Sequence, residues 1–134
     1  MSDLLLLLAE DEGDLGTISA LCQDMAVKAG DVGYDARARR VALVGNRFRW
    51  EAAKTPTRVR TILRFDGVLK LQRRAWPADR EAVMAVLAIR HEAECMIIDF
   101  AGGAALRLTV EAVDAVMEDV AGPWAARAVP DHDA

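Results

Sequence analysis

The sequence predicts an α+β fold: an antiparallel β-sheet or small barrel of six to seven strands, with an N-terminal helix and a C-terminal capping helix. Three observations predict it. Apolar and polar residues alternate through most of residues 27–110, which is the period of half-buried strands. Apolar residues recur at spacings of three and four within 12–25 and 111–121, which indicates two amphipathic helices. Short turn-forming stretches join the strands and favour antiparallel neighbours.

The chain has 134 residues, of which 53% are hydrophobic, so we expect one domain over 1–134 with a real core and no extensive disorder. Its predicted parts are an N-terminal strand and helix (1–26), antiparallel strands (27–110), a C-terminal helix (111–121) and a tail (125–134).

The five leucines Leu4–Leu8 predict a short buried strand. No basic residue precedes them, and the run is shorter than the roughly 7–15 apolar residues of a signal peptide or the roughly 20 of a membrane span. The two cysteines, Cys22 and Cys95, are too few for a disulfide framework. We therefore expect a cytoplasmic protein with reduced thiols and no membrane partner.

The first helix is predicted at about 12–25. Asp11 is a suitable N-cap and precedes an apolar stripe. The stripe consists of Leu15, Ile18, Leu21, Cys22 and Met25.

Strands are then predicted from VKAGDVGYD to ALRLTV, with turns at DARA, EAAKTP and WPADRE. Asp66-Gly67 is a hairpin signal, but a bulge in one long bent strand preserves the alternation better, so both remain open. A three-residue loop, Ala101–Gly103, would place Phe100, Ile98 and Met96 opposite Ala104, Leu106 and Leu108 on one face.

The last helix is predicted at 111–121 from the spacing of Val113, Val116, Met117 and Val120, and Gly122-Pro123 is a typical end signal. We expect Trp124 to fold back on the core. Seven antiparallel strands followed by one helix is the order of pleckstrin-homology-like barrels, in which the helix closes one end.

Charge is unevenly distributed along the chain. Residues 37–80 contain 13 of the 17 Lys and Arg residues and three acids, a net +10, whereas the rest carries −14 and the whole chain −4. This split predicts either a bipolar surface or pairing of opposite charges across strands, and the second is the more ordinary outcome.

The stretch VALVGNRFRWE begins apolar and ends in alternating arginines and aromatics. A bulge at Gly45-Asn46 would keep Phe48 and Trp50 on the core side and turn Arg47 and Arg49 outward.

An arginine-rich sheet face is the candidate anion-binding or partner-binding site predicted from the sequence, since guanidinium groups suit phosphate and carboxylate. Its residues are Arg47, Arg49, Arg58, Arg60 and Arg64. The more ordinary alternative is that Arg47 and Arg49 pair with Glu51 or with acids of a neighbouring strand.

The predicted function is a non-enzymatic binding or adaptor domain that contacts an acidic protein surface or a second copy of the chain. One alternative is a nucleic-acid-associated protein using the same face, and another is a small enzyme with an unrecognised pocket.

The sequence predicts no catalytic residue, no metal site and no cofactor. His91 and Cys95 are expected on one side of an extended segment, but zinc needs three or four ligands. Asp99 has no obvious second carboxylate beside it, and Arg107 on the facing strand can pair with it diagonally. Neither GxGxxG nor GxxxxGK is present.

Five short motifs occur in order: NRFRWE (46–51), RFDGVL (64–69), AIR (88–90), FAGG (100–103) and GPW (122–124). With them the chain resembles, over nearly its whole length, an uncharacterised family of alphaproteobacteria, domain of unknown function 2948. The resemblance implies a bacterial, cytoplasmic, single-domain protein, and it carries over no catalytic residue.

Overall fold

The computed structural model describes residues 4–52 and 54–126. These contain one α-helix, nine β-strands and two short 3₁₀ turns at Trp50–Ala52 and Ala101–Gly103. The helix and strands in chain order are β1 (Leu6–Ala9), α1 (Glu12–Leu21), β2 (Ala26–Asp35), β3 (Arg40–Phe48), β4 (Thr57–Asp66), β5 (Val68–Arg74), β6 (Val83–Glu92), β7 (Cys95–Phe100), β8 (Ala105–Val110) and β9 (Ala115–Ala125).

The nine strands form one antiparallel open sheet in the order β1-β9-β4-β3-β2-β6-β7-β8-β5. Its two edges among the described residues are β1 and β5. β6 pairs with β2 at its start and with β7 further along. It therefore joins the two parts of the sheet, one formed by β1, β9, β4, β3 and β2 and the other by β7, β8 and β5.

The turn at Asp66-Gly67 is neither a hairpin nor a bulge within one strand. β4 pairs with β3 and β9, whereas β5 pairs with β8 at the far edge of the sheet. Gly67 joins them with φ +70, a backbone conformation that glycine adopts readily. The chain thus turns a corner here, as strands do when they pass from one part of a packed sheet to another.

One hydrophobic cluster fills the space between the two parts of the sheet. Leu43 and Phe65 come from β3 and β4, and Leu106 comes from β8. The single helix α1 adds Leu15 and Ile18 to the same cluster and contacts β1 and β6. The helix therefore covers the core, a role that the sequence assigned to a C-terminal helix.

The predicted fold class is wrong. The described chain has nine strands rather than six or seven, one helix rather than two, and an open sheet rather than a pleckstrin-homology-like barrel with a C-terminal helix. The decisive difference is β9, a strand where the sequence predicted a helix at 111–121.

β9 forms because its backbone is satisfied on both sides by β1 and β4. The spacing of Val113, Val116, Met117 and Val120 fits a helix, but Ala115, Val116 and Met117 are all buried, as in a central strand with two covered faces. Tertiary pairing overrides the local helical pattern here.

Smaller expectations at both ends are also corrected. α1 begins after Asp11, whose Oδ1 accepts a hydrogen bond from the Asp14 N–H at 2.8 Å, as predicted, but it ends at Leu21 rather than near Met25. The leucine strand is buried on one face alone, since it lies at a sheet edge with Leu6 and Leu8 exposed and Leu7 packed on the core. Trp124 does not fold onto the core but is 42% exposed opposite Arg58.

Most of the predicted tail lies outside the described residues. Within the described part, no helix has the length and apolar character needed to cross a bilayer.

Candidate functional site

The predicted outward turn of Arg47 and Arg49 is wrong. β3 pairs with β4 in an unbroken register from Arg40 opposite Asp66 to Phe48 opposite Arg58, so β3 has no bulge against β4 at Gly45-Asn46. The irregularity lies instead in β2, between Val27 and Val32. With strict alternation, Arg47 faces inward, and it is fully buried.

Arg47 is held by two carboxylates. Its Nε and Nη2 donate to Asp119 Oδ1 and Oδ2 at 2.9 and 2.7 Å, and its Nη1 and Nη2 donate to Glu51 Oε1 and Oε2 at 2.8 and 2.7 Å. Asp119 also accepts hydrogen bonds from Thr61 Oγ1 at 2.8 Å and the Leu5 N–H at 3.0 Å. We call Arg47, Thr61 and Asp119, together with the more exposed Glu51 that closes them off, the buried polar cluster.

The electrostatics of the buried polar cluster favour its charged form. Burial lowers the pKa of Arg47, but its hydrogen bonds to Glu51 and Asp119 outweigh burial and raise the pKa overall. Burial raises the pKa of Asp119, but hydrogen bonds from Arg47, the Leu5 N–H and Thr61 lower it overall. Arg47 is therefore a structural anchor between β3 and β9.

Arg49 is also largely buried, at 8% exposure, with its Nη1 donating to Thr57 Oγ1 at 3.0 Å. Phe48, predicted to face the main core, is buried but does not belong to the hydrophobic cluster of the core. It packs against Trp50 instead, with ring centroids 4.6 Å apart. The guanidinium of Arg58 lies over the Phe48 ring at 5.9 Å.

Arg58, Arg60 and Arg64 do alternate with buried residues of β4. They lie on the face of the sheet that points away from the core, and we call this the outer face. Each has a local partner. Arg58 Nη1 donates to the Asn46 carbonyl at 3.0 Å, Arg60 Nη1 to Asn46 Oδ1 at 3.3 Å, and Arg64 Nε to Asp66 Oδ2 at 3.0 Å. The five predicted arginines thus do not share one face.

A second arginine group lies on the outer face of β6, β7, β8 and β5. The register places Arg90, Ile97, Arg107 and Gln72 in one row across these four strands. A cleft of about 450 Å³ opens over this row. We call it the arginine cleft, and its lining residues are Gln72, Arg73, Arg74, Arg90, Glu92, Ala93, Cys95, Ile97, Asp99, Ala105 and Arg107.

The arginines of the cleft differ in their partners. Arg90 pairs with Asp99, Nε to Oδ2 at 2.9 Å, and with Glu92. Within the described part of the chain, Arg74 and Arg107 form no ion pair with a carboxylate. Arg107 Nε instead donates to Cys95 Sγ at 3.3 Å, and this hydrogen bond raises the pKa of Arg107. Four arginines and two acids give the cleft a positive excess.

The predicted Asp99–Arg107 pair is therefore wrong, since Arg90 on the other neighbouring strand holds Asp99. The expected placement of His91 and Cys95 on one side is also wrong. Cys95 lines the arginine cleft, whereas His91 Nδ1 lies 2.9 Å from Glu12 Oε1 of α1. The sequence pattern that could have predicted the arginine cleft is the alternation in CMIIDF and ALRLTV. It leaves Cys95, Asp99 and Arg107 on the face opposite the core.

Comparison with known families gives one result. The sequence matches the family described as "Protein of unknown function (DUF2948)" over residues 5–132. Neither the curated proteins nor the solved structures gave a match. The alphaproteobacterial origin stays a prediction. Because the match covers nearly the entire chain, this protein belongs to the DUF2948 family of proteins of unknown function.

Proposed function

We propose that this protein is an anion-binding module and that the arginine cleft is its ligand site. The observation that carries the proposal is the position of Arg107 in the middle of the four-strand row, where it is exposed and, among the described residues, has only a cysteine sulfur as its hydrogen-bond acceptor. A guanidinium has five N–H donors, and phosphate or carboxylate is the acceptor that matches its geometry. Most of the donors of Arg107 therefore remain for a ligand.

The neighbouring strand adds a second arginine to the same cleft. In the pairing of β5 with β8, Gln72 lies opposite Arg107 and Arg74 lies opposite Ala105. Arg74 is therefore on the same face as Arg107, on the neighbouring strand and diagonal to it by two residues. Two arginines that lie close together at a cleft and pair with no carboxylate of residues 4–52 and 54–126 favour an anion between them. Arg90, fixed by Asp99 and Glu92, forms the opposite wall.

The cleft also has an apolar part. Ile97, opposite Arg107 in the register, and Ala105, two residues from Arg107 on β8, lie among its lining residues. Small-molecule sites combine an apolar surface with a few placed polar groups. This composition supports a small organic anion, such as a phosphate ester or a carboxylate, more than an extended nucleic acid, which would use a row of exposed aromatic residues.

Anion binding by Arg58, Arg60 and Arg64 stays a prediction from the sequence. Their present contacts with Asn46 and Asp66 make them the weaker candidates.

The test is a titration of ¹⁵N-labelled protein with inorganic phosphate, followed by NMR. Backbone amide signals of Cys95, Ile97 and Arg107 should shift in a saturable way, while those of Arg60 and Ile62 on β4 stay in place. Shifts confined to β4, or none at all, would exclude the arginine cleft as an anion site.

A parallel titration with a mixed-sequence oligonucleotide separates the alternative. Nucleic-acid binding weakens steeply as salt increases. Binding releases counterions from the phosphate backbone, and this release becomes less favourable when the salt concentration is high. A nucleic-acid protein would bind the oligonucleotide more tightly than phosphate at low salt, which is the opposite of what a small-anion site predicts.

A further inference from the structure

The two edges of the sheet differ in a way that points to self-association. β5 carries Lys70, Arg73 and Arg74 and has a register irregularity after Val68. Charged residues and irregular pairing are the usual means by which an edge strand avoids pairing with other chains. β1 has neither, since it reads LLLA and pairs with β9 in an unbroken register.

The backbone of β1 shows which groups face the open edge. The Asp119 N–H donates to the Leu5 carbonyl at 2.9 Å, so Leu5 points its backbone toward β9. Backbone direction alternates along a strand, and Leu7 and Ala9 therefore also face β9. The N–H and C=O groups of Leu6 and Leu8 point away from β9, toward the open edge.

The side chains of the same two residues are exposed. Leu6 and Leu8 are each 62% exposed and project from the outer face, whereas Leu5, Leu7 and Ala9 turn toward the core. Edge-directed backbone groups and exposed leucines therefore occur at the same two positions.

We propose that β1 pairs antiparallel with β1 of a second copy of this chain, about a two-fold axis at Leu7. Leu6 then lies opposite Leu8 of the partner, and Leu8 opposite its Leu6. Each such pair exchanges two N–H···O=C hydrogen bonds, as edge-directed residues do in antiparallel sheets. All four exposed leucines meet on one outer face, where cross-strand apolar pairs stabilise a sheet.

A second copy is the occupant because the edge is complementary to itself. The strand is uncharged, so a two-fold arrangement opposes no like charges within it, and every contact is made twice, as in isologous dimers. The other edge, β5, is basic at Lys70, Arg73 and Arg74 and offers no matching leucine pair. A four-residue strand gives a small interface, so we expect a weak dimer.

The position of β1 also depends on the buried polar cluster. Asp119 accepts from the Leu5 N–H and from Arg47, which links the edge strand to β3. The hydrogen bond from the Leu5 N–H to the buried Asp119 carboxylate therefore fixes the start of β1 while its other edge stays open to the partner.

The first experiment measures molar mass by sedimentation equilibrium over a range of protein concentrations. The wild type should change reversibly from one chain to two, and Leu8→Lys should remain at one chain. Val83→Lys is the matched control, because Val83 is 64% exposed on a strand but lies away from the β1 edge. Circular dichroism should show that all three proteins are folded.

A second measurement tests the geometry itself. Amide hydrogen exchange at Leu6 and Leu8 should slow as concentration rises, while exchange at Leu7, already bonded to β9, should not depend on it. A monomeric wild type at every concentration, a mass that grows beyond two chains, or a dimer in which the Leu6 and Leu8 amides stay unprotected would each overturn the proposal.

Discussion

Arg47 and Asp119 are 72 positions apart in the chain, yet they form a two-point ion pair with both side chains fully buried. The pair joins β3 to β9 across β4, and Thr61 of β4 completes it. This contact explains why Arg47 of the stretch NRFRWE does not belong to a surface patch.

Asp119→Ala should lower the free energy of unfolding by about 3 kcal/mol, because removing one partner leaves a buried charge incompletely compensated. Glu51 still contacts Arg47, which keeps the loss below that of an isolated pair. Urea denaturation measures the change. Glu118→Ala, at the exposed neighbouring position, is the control and should change stability by less than about 0.5 kcal/mol. Equal stability of the two variants would show that the ion pair contributes little.

The same cluster should make stability fall in acid. Burial raises the pKa of Asp119 and Glu51, but their hydrogen bonds, mainly from Arg47, lower both overall in the folded protein. A lowered carboxyl pKa contributes stability that is present above the unfolded value and lost as pH falls through the folded value. Stability should thus decline below the ordinary values of 4.5 for Glu51 and 3.8 for Asp119.

The measurement for this prediction is the free energy of unfolding as a function of pH. In Asp119→Asn the acid-dependent loss should be smaller than in wild type. An identical pH profile in the two proteins would remove Asp119 from the explanation.

Gly45 is the residue at which the sequence predicted a bulge, and the structure gives it a different role. An added Cβ would lie 2.3 Å from the Ala26 carbonyl oxygen and 2.9 Å from Val27 Cγ2. Gly45→Ala should therefore push β2 and β3 apart and lower stability by roughly 1–3 kcal/mol, the usual range for overpacking. Thermal unfolding measures it.

Gly33→Ala is the matched control, because no described residue other than the two chain neighbours comes within 4 Å of a Cβ at that position on β2. We expect a loss of stability well below that of Gly45→Ala. A larger loss in the Gly33 variant would contradict the close approach of β2 and β3 at Gly45.

Cys22 should be unreactive in the folded protein. It is fully buried, and burial is the main cause that raises its pKa to about 12, so little thiolate forms near neutral pH. In Cys95→Ser, where Cys22 is the remaining thiol, iodoacetamide should label the protein only after denaturation. Mass spectrometry gives the extent of labelling, and rapid labelling of the native variant would show that the site opens.

The local parts of the fold could be predicted from the sequence. The hairpin of β7 and β8 is confirmed, with Ile98 opposite Leu106, Met96 opposite Leu108 and the Phe100 N–H donating to the Ala104 carbonyl at 2.9 Å. Alternation and a Gly-Gly loop were sufficient there, because both strands adjoin one short turn.

The long-range parts could not be predicted in the same way. Residues 115–121 satisfy a helical spacing as well as a strand, and only pairing with β1 and β4, far away in sequence, decides between them. The orientation of Arg47 depends on Asp119 in that same strand. With 111–121 predicted as a helix, Asp119 was not expected in a strand beside Arg47, and Glu51 alone does not require a buried guanidinium, so an outward turn was the simpler interpretation.

The arginine cleft was missed for a related reason. Arg74 and Arg107 come together only because β5 turns the corner at Gly67 and pairs with β8. The sequence shows their alternation but not this pairing. Pairing of opposite charges between the basic segment and the rest of the chain, the ordinary alternative, does occur in Arg47–Asp119 and Arg39–Glu111.

Isothermal titration calorimetry of Arg107→Gln beside Arg60→Gln decides whether the arginine cleft binds phosphate. Both variants remove one outer-face guanidinium without introducing a negative charge. We expect Arg107→Gln to weaken phosphate binding about tenfold or more, since a hydrogen bond to a charged group contributes roughly 1.5–3 kcal/mol, while Arg60→Gln binds like the wild type. Unchanged affinity in Arg107→Gln, or an equal loss in Arg60→Gln, would contradict this expectation.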